Sequence, residues 1–345
     1  MIEKQNKTNN NSGFTVITGS EADSYVPEPT NFIIDTLLPD GFKTVLAGTA
    51  GSNKSYFAMQ EGMSIANGEE TFLGFKILQP GLRVLYVDTE VGKTELIRRY
   101  HRIQKHFQTW NGSERFAMMI RNGINQQFWT DLEEQIIKFG PDIVYIDCLY
   151  NAVTHKDLTK SVNVLKFTDL ITKLQNDFNI TVRIIHHFNK GGHELGLTMD
   201  RMSGASALQN WAEHLTLITY TNIPSLRLMR IVKSRGTDYP REYFGIEWDG
   251  ERCMLNRLGI IMNSIKYLVD INKTEKWAKS LKYMEKSFTT NDWVKTVSYK
   301  LHTVKERQAK NWLNEMLACG VIKKVKMGLW EKTDIEIVDD IIGIE

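Results

Sequence analysis

A short apolar run that leads through a glycine-containing loop into a helix is the feature that most restricts how this chain can fold. Residues 43–48 have the sequence KTVLAG, the loop continues TAGSN, and a helical pattern begins at Lys54. The segment matches the pattern G-x-x-x-x-G-K-[ST] at Gly48, Lys54 and Ser55, with Asn53 in place of the second glycine. We therefore predict a phosphate-binding loop between a buried strand and a helix; the alternative is a chance Gly/Ser turn.

The loop residues have the chemistry that ATP with Mg²⁺ requires. Gly48 and Gly51 allow backbone N–H groups to point at a phosphate, and the following helix adds its positive N-terminal end. Lys54 supplies a charge for the β- and γ-phosphates and is expected to be exposed, while the Ser55 hydroxyl suits Mg²⁺. Asn53 keeps the main-chain N–H and tolerates a positive φ, so we expect Asn53→Gly to be tolerated. The predicted ATP-contacting loop residues are Gly48, Thr49, Ala50, Gly51, Ser52, Asn53, Lys54, Ser55 and Tyr56.

Further strand-like runs alternate with helical patterns upstream of Trp211. The apolar runs lie at 82–88, 116–120, 142–147 and 180–187, with apolar residues at helical spacing between them. Strands that alternate with such helices form a parallel sheet covered on both faces, so we predict an α/β fold. The short strand patterns after Trp211 are predicted to be antiparallel additions at one edge of this sheet.

Acidic residues follow two of the predicted strands. Asp147 ends the run YID, and the carboxyl ends of strands in open α/β sheets meet at the ligand crevice. Asp147 and Ser55 are therefore the predicted Mg²⁺ ligands. The sequence VDTE ends another strand, and Glu90 is a candidate general base that polarises water against the γ-phosphate. The alternative for Glu90 is a cap or first-turn acid of the next helix.

The pattern changes again near residue 256. Three amphipathic helical patterns are followed by a hairpin that turns near Met327–Gly328, an order that resembles a winged-helix domain. Residues 256–333 carry sixteen Lys and Arg against seven Asp and Glu, which favours a polyanionic partner; a well-solvated lysine-rich surface is the alternative. The predicted organisation is a disordered lead-in (1–25), an ATPase domain (26–255), this basic module (256–333) and an acidic tail (334–345).

Several ordered motifs together resemble a known family. The phosphate-binding loop is followed by the strand ends VDTE, YID and HHFNK, and then by MSGASALQNWAEHLTLI and IVKSRG. Over residues 30–250 this order is similar to the RecA-type ATPase core of hexameric replicative helicases, and most similar to the RepA-like helicases of plasmids and phages. The resemblance implies a RecA-like core that binds ATP and Mg²⁺ and assembles into a ring.

The resemblance also implies roles for individual residues. Glu90 matches the catalytic base, Asp147 the Walker B acid, and His187 a polar sensor of the γ-phosphate; for His187, local hydrogen bonding of paired histidines is the alternative. Lys233 and Arg235 match a K-x-R pair that reaches the γ-phosphate bound by a neighbouring subunit. Without the resemblance, this pair would be interpreted as a solvated strand end.

The glycine-rich stretch at 188–204 matches the loop that faces single-stranded DNA in the central channel of such a ring. Lys190 and Arg201 are the predicted contacts with the DNA phosphates. A surface lid is the alternative for this stretch.

Together with the residues above, this resemblance implies an ATP-dependent DNA motor, a ring-forming replicative helicase of a plasmid, phage or other mobile element. Its predicted partners are single-stranded DNA, further copies of the chain in a hexameric ring, and other replication proteins at the C-terminal module. Two alternatives stay open: a RecA-like recombinase filament, and a non-motor, ATP-sensing DNA-binding regulator. No apolar run has the length of a membrane span, and three widely spaced cysteines favour a reducing compartment, so a cytoplasmic protein without membrane contact is expected.

Overall fold

The structure is a computed structural model, and it describes residues 16–26, 29–120, 127–148, 161–188, 197–199, 205–261, 264–268, 271–302, 304–318 and 321–333. The helices are α1 (Gly19–Ser24), α2 (Lys54–Asn67), α3 (Lys93–Gln104), α4 (Phe128–Phe139), α5 (Ser161–Phe178), α6 (Ala205–Trp211), α7 (Ile265–Leu268), α8 (Ile271–Leu281), α9 (Thr290–Lys300) and α10 (Glu306–Ala318). The strands are β1 (Phe32–Ile34), β2 (Leu38–Pro39), β3 (Lys43–Gly48), β4 (Thr71–Phe72), β5 (Phe75–Lys76), β6 (Val84–Asp88), β7 (Phe116–Ile120), β8 (Ile143–Asp147), β9 (Thr181–His187), β10 (His214–Tyr220), β11 (Leu226–Ser234), β12 (Tyr243–Asp249), β13 (Met254–Ile261), β14 (Ser287–Thr289), β15 (Ile322–Lys326) and β16 (Leu329–Lys332).

Within the described residues, nine strands form one mixed sheet in the order β13-β12-β11-β10-β3-β9-β8-β6-β7. The strands from β10 to β7 run parallel, and β11 to β13 are antiparallel. The predicted α/β fold with a mostly parallel sheet is therefore confirmed. The prediction that every strand after Trp211 is antiparallel was wrong for β10, because this strand follows helix α6 and pairs in parallel with β3.

The central strands are buried on both faces, which explains their nearly continuous apolar sequences. On strand β3, Leu46 belongs to a core that includes Phe57 of helix α2. The adjacent Val45 belongs to the opposite core, with Ile171 of helix α5. Successive side chains of a strand point to opposite faces, so a single apolar strand anchors helices on both sides of the sheet.

A buried ion pair connects helix α2 to the sheet beneath the phosphate-binding loop. The Nε atom of Arg183 lies 2.9 Å from Oε2 of Glu61, and both side chains are fully buried. The Tyr145 hydroxyl donates a hydrogen bond to the same carboxylate at 3.0 Å. Burial raises the pKa of Glu61 to about 7, and Arg183 acts in the opposite direction. The stability that Glu61 contributes is therefore present below its ordinary pKa of 4.5 and is lost as the pH rises through about 7.

We expect Arg183→Met to destabilise the protein by about 3–5 kcal/mol, because the charge of Glu61 would then be buried without a partner. The loss should be larger at pH 8 than at pH 6, since at the lower pH the carboxyl group of Glu61 can take up a proton. Urea unfolding at both pH values measures the effect, and the double variant Glu61→Leu/Arg183→Met is the control that should recover much of it. A loss that is the same in the single and double variants would contradict this interpretation.

Of the predicted disordered lead-in at 1–25, residues 1–15 lie outside the described residues, and residues 16–25 include a short helix. Helix α1 begins after Thr18, whose side chain accepts a hydrogen bond from the backbone N–H of Glu21, while the Glu21 carboxylate accepts one from the backbone N–H of Thr18. This reciprocal cap is a helix-start signal that the sequence interpretation missed. None of the residues of α1 is buried.

The C-terminal part has its own three-stranded sheet, in the order β14-β16-β15, against helices α8 to α10. The predicted hairpin turns at Met327–Gly328, where Gly328 has a φ of +75°. Strand β14 was not predicted, because it is only three residues long. Strand β13 extends to Ile261, so the predicted boundary after residue 255 falls inside a strand of the large sheet. The predicted acidic tail at 334–345 lies outside the described residues.

None of the helices in the described part of the chain combines the length and the apolar character that crossing a membrane requires.

Candidate active site

Four parallel strands bring the predicted nucleotide residues to one edge of the sheet, namely the edge that the carboxyl ends of these strands form. Gly48 at the end of β3 pairs with His187 at the end of β9. Asp88 at the end of β6 pairs with Asp147 at the end of β8. This is the edge at which ligands bind in open α/β sheets. Residues that are far apart in sequence therefore meet around the phosphate-binding loop, as predicted from the strand ends.

Close packing explains why Gly48 begins this loop. A Cβ atom at this position would lie 2.0 Å from the backbone oxygen of Ile218 on β10, which no real side chain permits. The loop is braced internally by the Ser52 hydroxyl, which donates to the backbone oxygen of Thr49 at 2.8 Å. The hydroxyls of Thr49 and Thr219 share a hydrogen bond at 3.1 Å. The loop is thus held against strand β10, while Ala50 and Gly51 are exposed at its tip.

Lys54 is buried, so the prediction that it is exposed was wrong. Only 5% of its surface is accessible, and its ammonium group donates to the backbone oxygen of Thr49 at 2.7 Å. Burial lowers the pKa of Lys54 to about 8, although the nearby carboxylates of Asp147 and Glu90 raise it. The loop folds back over the lysine, which the motif alone does not reveal. A bound phosphate would offer the ammonium group an anionic partner in place of the Thr49 carbonyl.

Asn53 has both the backbone geometry of a glycine and a side-chain partner. Its φ of 65° lies in the left-handed region, immediately before helix α2 begins. Its Oδ1 atom accepts a hydrogen bond from Nε of Arg227 on β11 at 2.9 Å. Arg227 is only 7% exposed, and its Nη1 atom also donates to the backbone oxygens of Pro224 and Leu226. Arg227, which the sequence interpretation missed, therefore links the phosphate-binding loop to the turn between β10 and β11.

This contact revises the expectation that Asn53→Gly is tolerated. The glycine variant would leave the buried Nε–H group of Arg227 without its acceptor, which costs about 1–3 kcal/mol. We therefore expect lower thermal stability and weaker ATP binding in Asn53→Gly. A double-mutant cycle with Arg227→Met measures the coupling between the two side chains. Additive effects of the two single substitutions would contradict a direct link.

Tyr86 connects Asp147 to the backbone of Ser55. Its hydroxyl donates to Oδ2 of Asp147 at 2.6 Å and lies 3.3 Å from the backbone oxygen of Ser55. Burial raises the pKa of the Tyr86 hydroxyl well above its ordinary value, so this group remains a donor. The Asp147 side chain is itself buried, beside the first turn of α2.

Asp88 is a second acid of this edge that the sequence interpretation passed over in favour of Glu90. Its Oδ1 atom accepts hydrogen bonds from the backbone N–H groups of Glu90 and Val91. Its Oδ2 atom is buried and has no hydrogen-bond partner among the described residues. Burial raises the pKa of Asp88 to about 6, and the charge of Asp147 contributes to this rise. An unpaired carboxylate oxygen beside Asp147 fits a magnesium ion with its water ligands, since Mg²⁺ prefers oxygen donors.

A carboxylate oxygen of Glu90 and a ring nitrogen of His187 lie within 4.8 Å of each other at this end of the strands. Helix α3 is capped by Gly92 and has Glu95 as its first-turn acid, so Glu90 precedes the helix and is neither of these. Its side chain is exposed at the open side of the site. His187 is half-buried, and burial together with the charge of Lys54 lowers its pKa. Both side chains interact electrostatically with Lys54 of the phosphate-binding loop.

The ring of Tyr56, predicted as the last loop contact, packs against Trp248 with the ring centroids 4.8 Å apart. The structure thus places this side chain on the first turn of α2, next to strand β12.

Lys233 and Arg235 lie at the edge that the amino ends of the parallel strands form, which is opposite the edge that carries the loop. Strand β11 is antiparallel to β10, so Lys233 pairs with Leu215, at the beginning of β10. The Lys233 ammonium group donates to the backbone oxygen of Gln209 at 2.6 Å, and Nη2 of Arg235 donates to that of Asn210 at 3.1 Å. The predicted DNA contacts Lys190 and Arg201 lie outside the described residues.

Comparisons with known proteins gave one matching family and similar solved structures. The sequence model of the AAA domain family matches residues 14–193, which is more than half of the chain. A solved structure of a KaiC-like protein from the hyperthermophilic archaeon Pyrococcus horikoshii OT3 is similar, with a TM-score of 0.47 and 13% identity, over 65% of this chain and 93% of that chain. No curated protein has a significant match to the sequence. The chain therefore belongs to the AAA domain family of P-loop ATPases, and its phosphate-binding loop lies in a mostly parallel α/β sheet.

Proposed function

We propose that the protein is an ATP-dependent DNA motor, a ring-forming replicative helicase of a plasmid, phage or other mobile element. In this proposal each ATP molecule is bound by one subunit and hydrolysed with the help of an arginine from its neighbour. The observation that carries the proposal is the position of Lys233 and Arg235 at the edge of the sheet opposite their own phosphate-binding loop.

The register of strand β10 gives the scale of this separation. Gly48 of the loop pairs with Ile218, whereas the backbone N–H of Arg235 donates to the oxygen of Glu213, five positions earlier on the chain. Five residues of a strand span about 16 Å. That distance is more than twice the length of an arginine side chain, which supports a role for Arg235 outside its own subunit's site.

A second subunit offers Arg235 a phosphate that it can reach. The Arg235 side chain is exposed at the surface of the subunit. Head-to-tail contacts between identical subunits place different surfaces against each other and close into a ring when the rotation permits. A planar, permanently charged guanidinium suits the charge that develops on a transferred phosphoryl group. The exposed arginine at this edge therefore supports hydrolysis at a shared interface.

Lys233 and Arg235 also contact the helix that follows the proposed DNA-binding stretch. Lys233 and Arg235 bind the last carbonyl groups of helix α6 through Gln209 and Asn210. Helix α6 directly follows the stretch 188–204, for which we propose a role in contacting single-stranded DNA. We propose that α6 couples DNA binding to the arginine. This arrangement supports coupling of DNA movement to the ATP site of a neighbouring subunit.

The residues around the phosphate-binding loop supply the general base, the phosphate ligand and the metal ligands that hydrolysis needs. In the proposed mechanism the exposed carboxylate of Glu90 accepts a proton from the attacking water. Lys54 holds the β- and γ-phosphates, and Ser55, Asp88 and Asp147 are the oxygen donors for Mg²⁺. When bound, Mg²⁺ neutralises part of the phosphate charge. His187 lies beside Lys54, in position to respond to the presence of the γ-phosphate.

The C-terminal part supports a partner beyond the motor itself. Its order of helix, strand, two helices and two strands is that of a winged-helix domain, which we propose for it. The exposed lysines Lys323, Lys324 and Lys326 lie along strand β15 of its hairpin. A row of lysines on an exposed hairpin suits a nucleic-acid phosphate backbone or an acidic protein.

Electron microscopy of the protein with a slowly hydrolysed ATP analogue and a single-stranded oligonucleotide tests this function, together with a strand-displacement assay. We expect closed rings and ATP-dependent displacement of the complementary strand. Open filaments that coat the oligonucleotide would instead favour a recombinase. If single-stranded DNA does not change the rate of ATP hydrolysis and the protein does not assemble into rings or filaments, a non-motor regulator would be favoured.

A further inference from the structure

Three side chains with different metal-binding atoms converge beside the nucleotide site. The carboxylate of Glu90, the thiol of Cys148 and the imidazole of His187 each offer one ligand atom, and these atoms all lie within 4.8 Å of one another. Glu90 follows strand β6, Cys148 follows β8 and His187 ends β9, and these three strands are neighbours in the sheet. The fold therefore fixes the three donors at adjacent strand ends.

We propose that Glu90, Cys148 and His187 form a regulatory site for a thiophilic divalent cation such as Zn²⁺. Thiolate and imidazole donors favour Zn²⁺, whereas Mg²⁺ prefers oxygen donors such as those of Asp88 and Asp147. The two cations would thus select different donors at the same edge of the sheet.

The spacing of the donors suits this cation after a small adjustment. Zinc bonds of about 2.0–2.3 Å in a tetrahedral arrangement place the ligand atoms roughly 3.3–3.7 Å apart. Closing from within 4.8 Å requires a movement of about 1 Å or less per atom, in which the exposed side chain of Glu90 can take part. The Cys148 side chain is buried, and that of His187 is half-buried. Three protein ligands leave a fourth position for water.

Occupation of this site would switch off hydrolysis. A carboxylate bound to Zn²⁺ cannot accept the proton of the attacking water, so turnover should fall while the phosphate-binding loop stays intact. This consequence rests on the proposed function, in which Glu90 is the general base. Binding of the cation itself does not depend on that role.

Cobalt substitution tests the site directly, because a thiolate bound to Co²⁺ has a charge-transfer absorption in the near ultraviolet. We expect the full-length protein without nucleotide to develop this absorption with Co²⁺ and to lose it when Zn²⁺ is added. Cys148→Ser should abolish the absorption, and Cys253→Ser and Cys319→Ser are matched controls that should retain it. Circular dichroism and ATP binding establish that each variant is folded. No absorption in the wild-type protein, or the same absorption in Cys148→Ser, would overturn the proposal.

Inhibition of ATP turnover by buffered Zn²⁺ gives a second readout. Each variant is compared with its own zinc-free rate. We expect Cys148→Ser to raise the zinc concentration for half-inhibition by at least about tenfold, and Cys253→Ser to leave it unchanged. If the cobalt signal depends on Cys148 but Glu90→Gln retains full turnover, the metal site stands and the general-base role falls. If the wild-type protein gives no cobalt signal but Glu90→Gln is inactive, the metal site falls and the proposed ATPase mechanism stands.

Discussion

Arg235→Ala is expected to lower ATP turnover by about 10³–10⁵-fold, the range found when an arginine is removed from the transition state of phosphoryl transfer. ATP binding by an isolated subunit should stay close to that of the wild-type protein, because Arg235 lies at the far edge of the sheet from its own loop. Steady-state hydrolysis with single-stranded DNA measures the first quantity. Titration with a fluorescent ATP analogue measures the second.

A matched control for this variant is Arg252→Ala, in the turn between β12 and β13. The Arg252 side chain is mostly exposed and makes a long ion pair with Asp249 at 3.6 Å. We expect this variant to retain turnover. A loss of turnover in Arg235→Ala that is no larger than in Arg252→Ala would leave Arg235 as a structural or DNA-facing charge. Equal losses of ATP binding and turnover would place Arg235 in its own subunit's site.

Glu90→Gln is expected to bind ATP and lose about 10²–10⁴-fold in turnover, because an amide cannot accept the proton of the attacking water. The carboxylate is exposed, so the substitution should leave the core unchanged. Single-turnover hydrolysis with a separate measurement of ATP affinity distinguishes chemistry from binding.

Glu95→Gln is the matched control, since Glu95 is the first-turn acid of helix α3 and pairs with Arg98 and Arg99 at the surface. This variant should keep its turnover. Unchanged turnover in Glu90→Gln would exclude Glu90 as the general base and leave Asp88, the other acid at the end of β6, as the candidate.

The sequence predicted the central strands well, because their apolar runs are buried on both faces. The run at 82–88 contains the observed Val84–Asp88, and the run at 180–187 contains Thr181–His187. The direction of β10 was not predictable in this way, since a buried apolar strand has the same pattern whether it is parallel or antiparallel. Its direction is set by the connection through helix α6.

The sequence predicted contacts of the candidate site where they are local and missed those that depend on residues far away in the chain. The loop motif placed Lys54 next to the acids, but it carried no information on the fold-back of the loop that buries the lysine. The hydrogen bond between Asn53 and Arg227 joins residues that are 174 positions apart, so no short motif contains it. The one local signal was Asn53 itself, because a polar side chain in place of the motif glycine indicates a hydrogen-bond partner.

The most direct test of a shared active site is to mix two inactive variants. Lys54→Ala lacks the lysine that holds the phosphates, and Arg235→Ala lacks the arginine proposed to act on the neighbouring subunit. ATP hydrolysis is measured against the mixing ratio at fixed total protein, with single-stranded DNA present and co-assembly shown independently. An intact loop from one subunit can then meet an intact arginine from the other, so the mixture should be more active than either variant alone, with a maximum at an intermediate ratio. A flat, inactive response in co-assembled protein would contradict hydrolysis at a subunit interface.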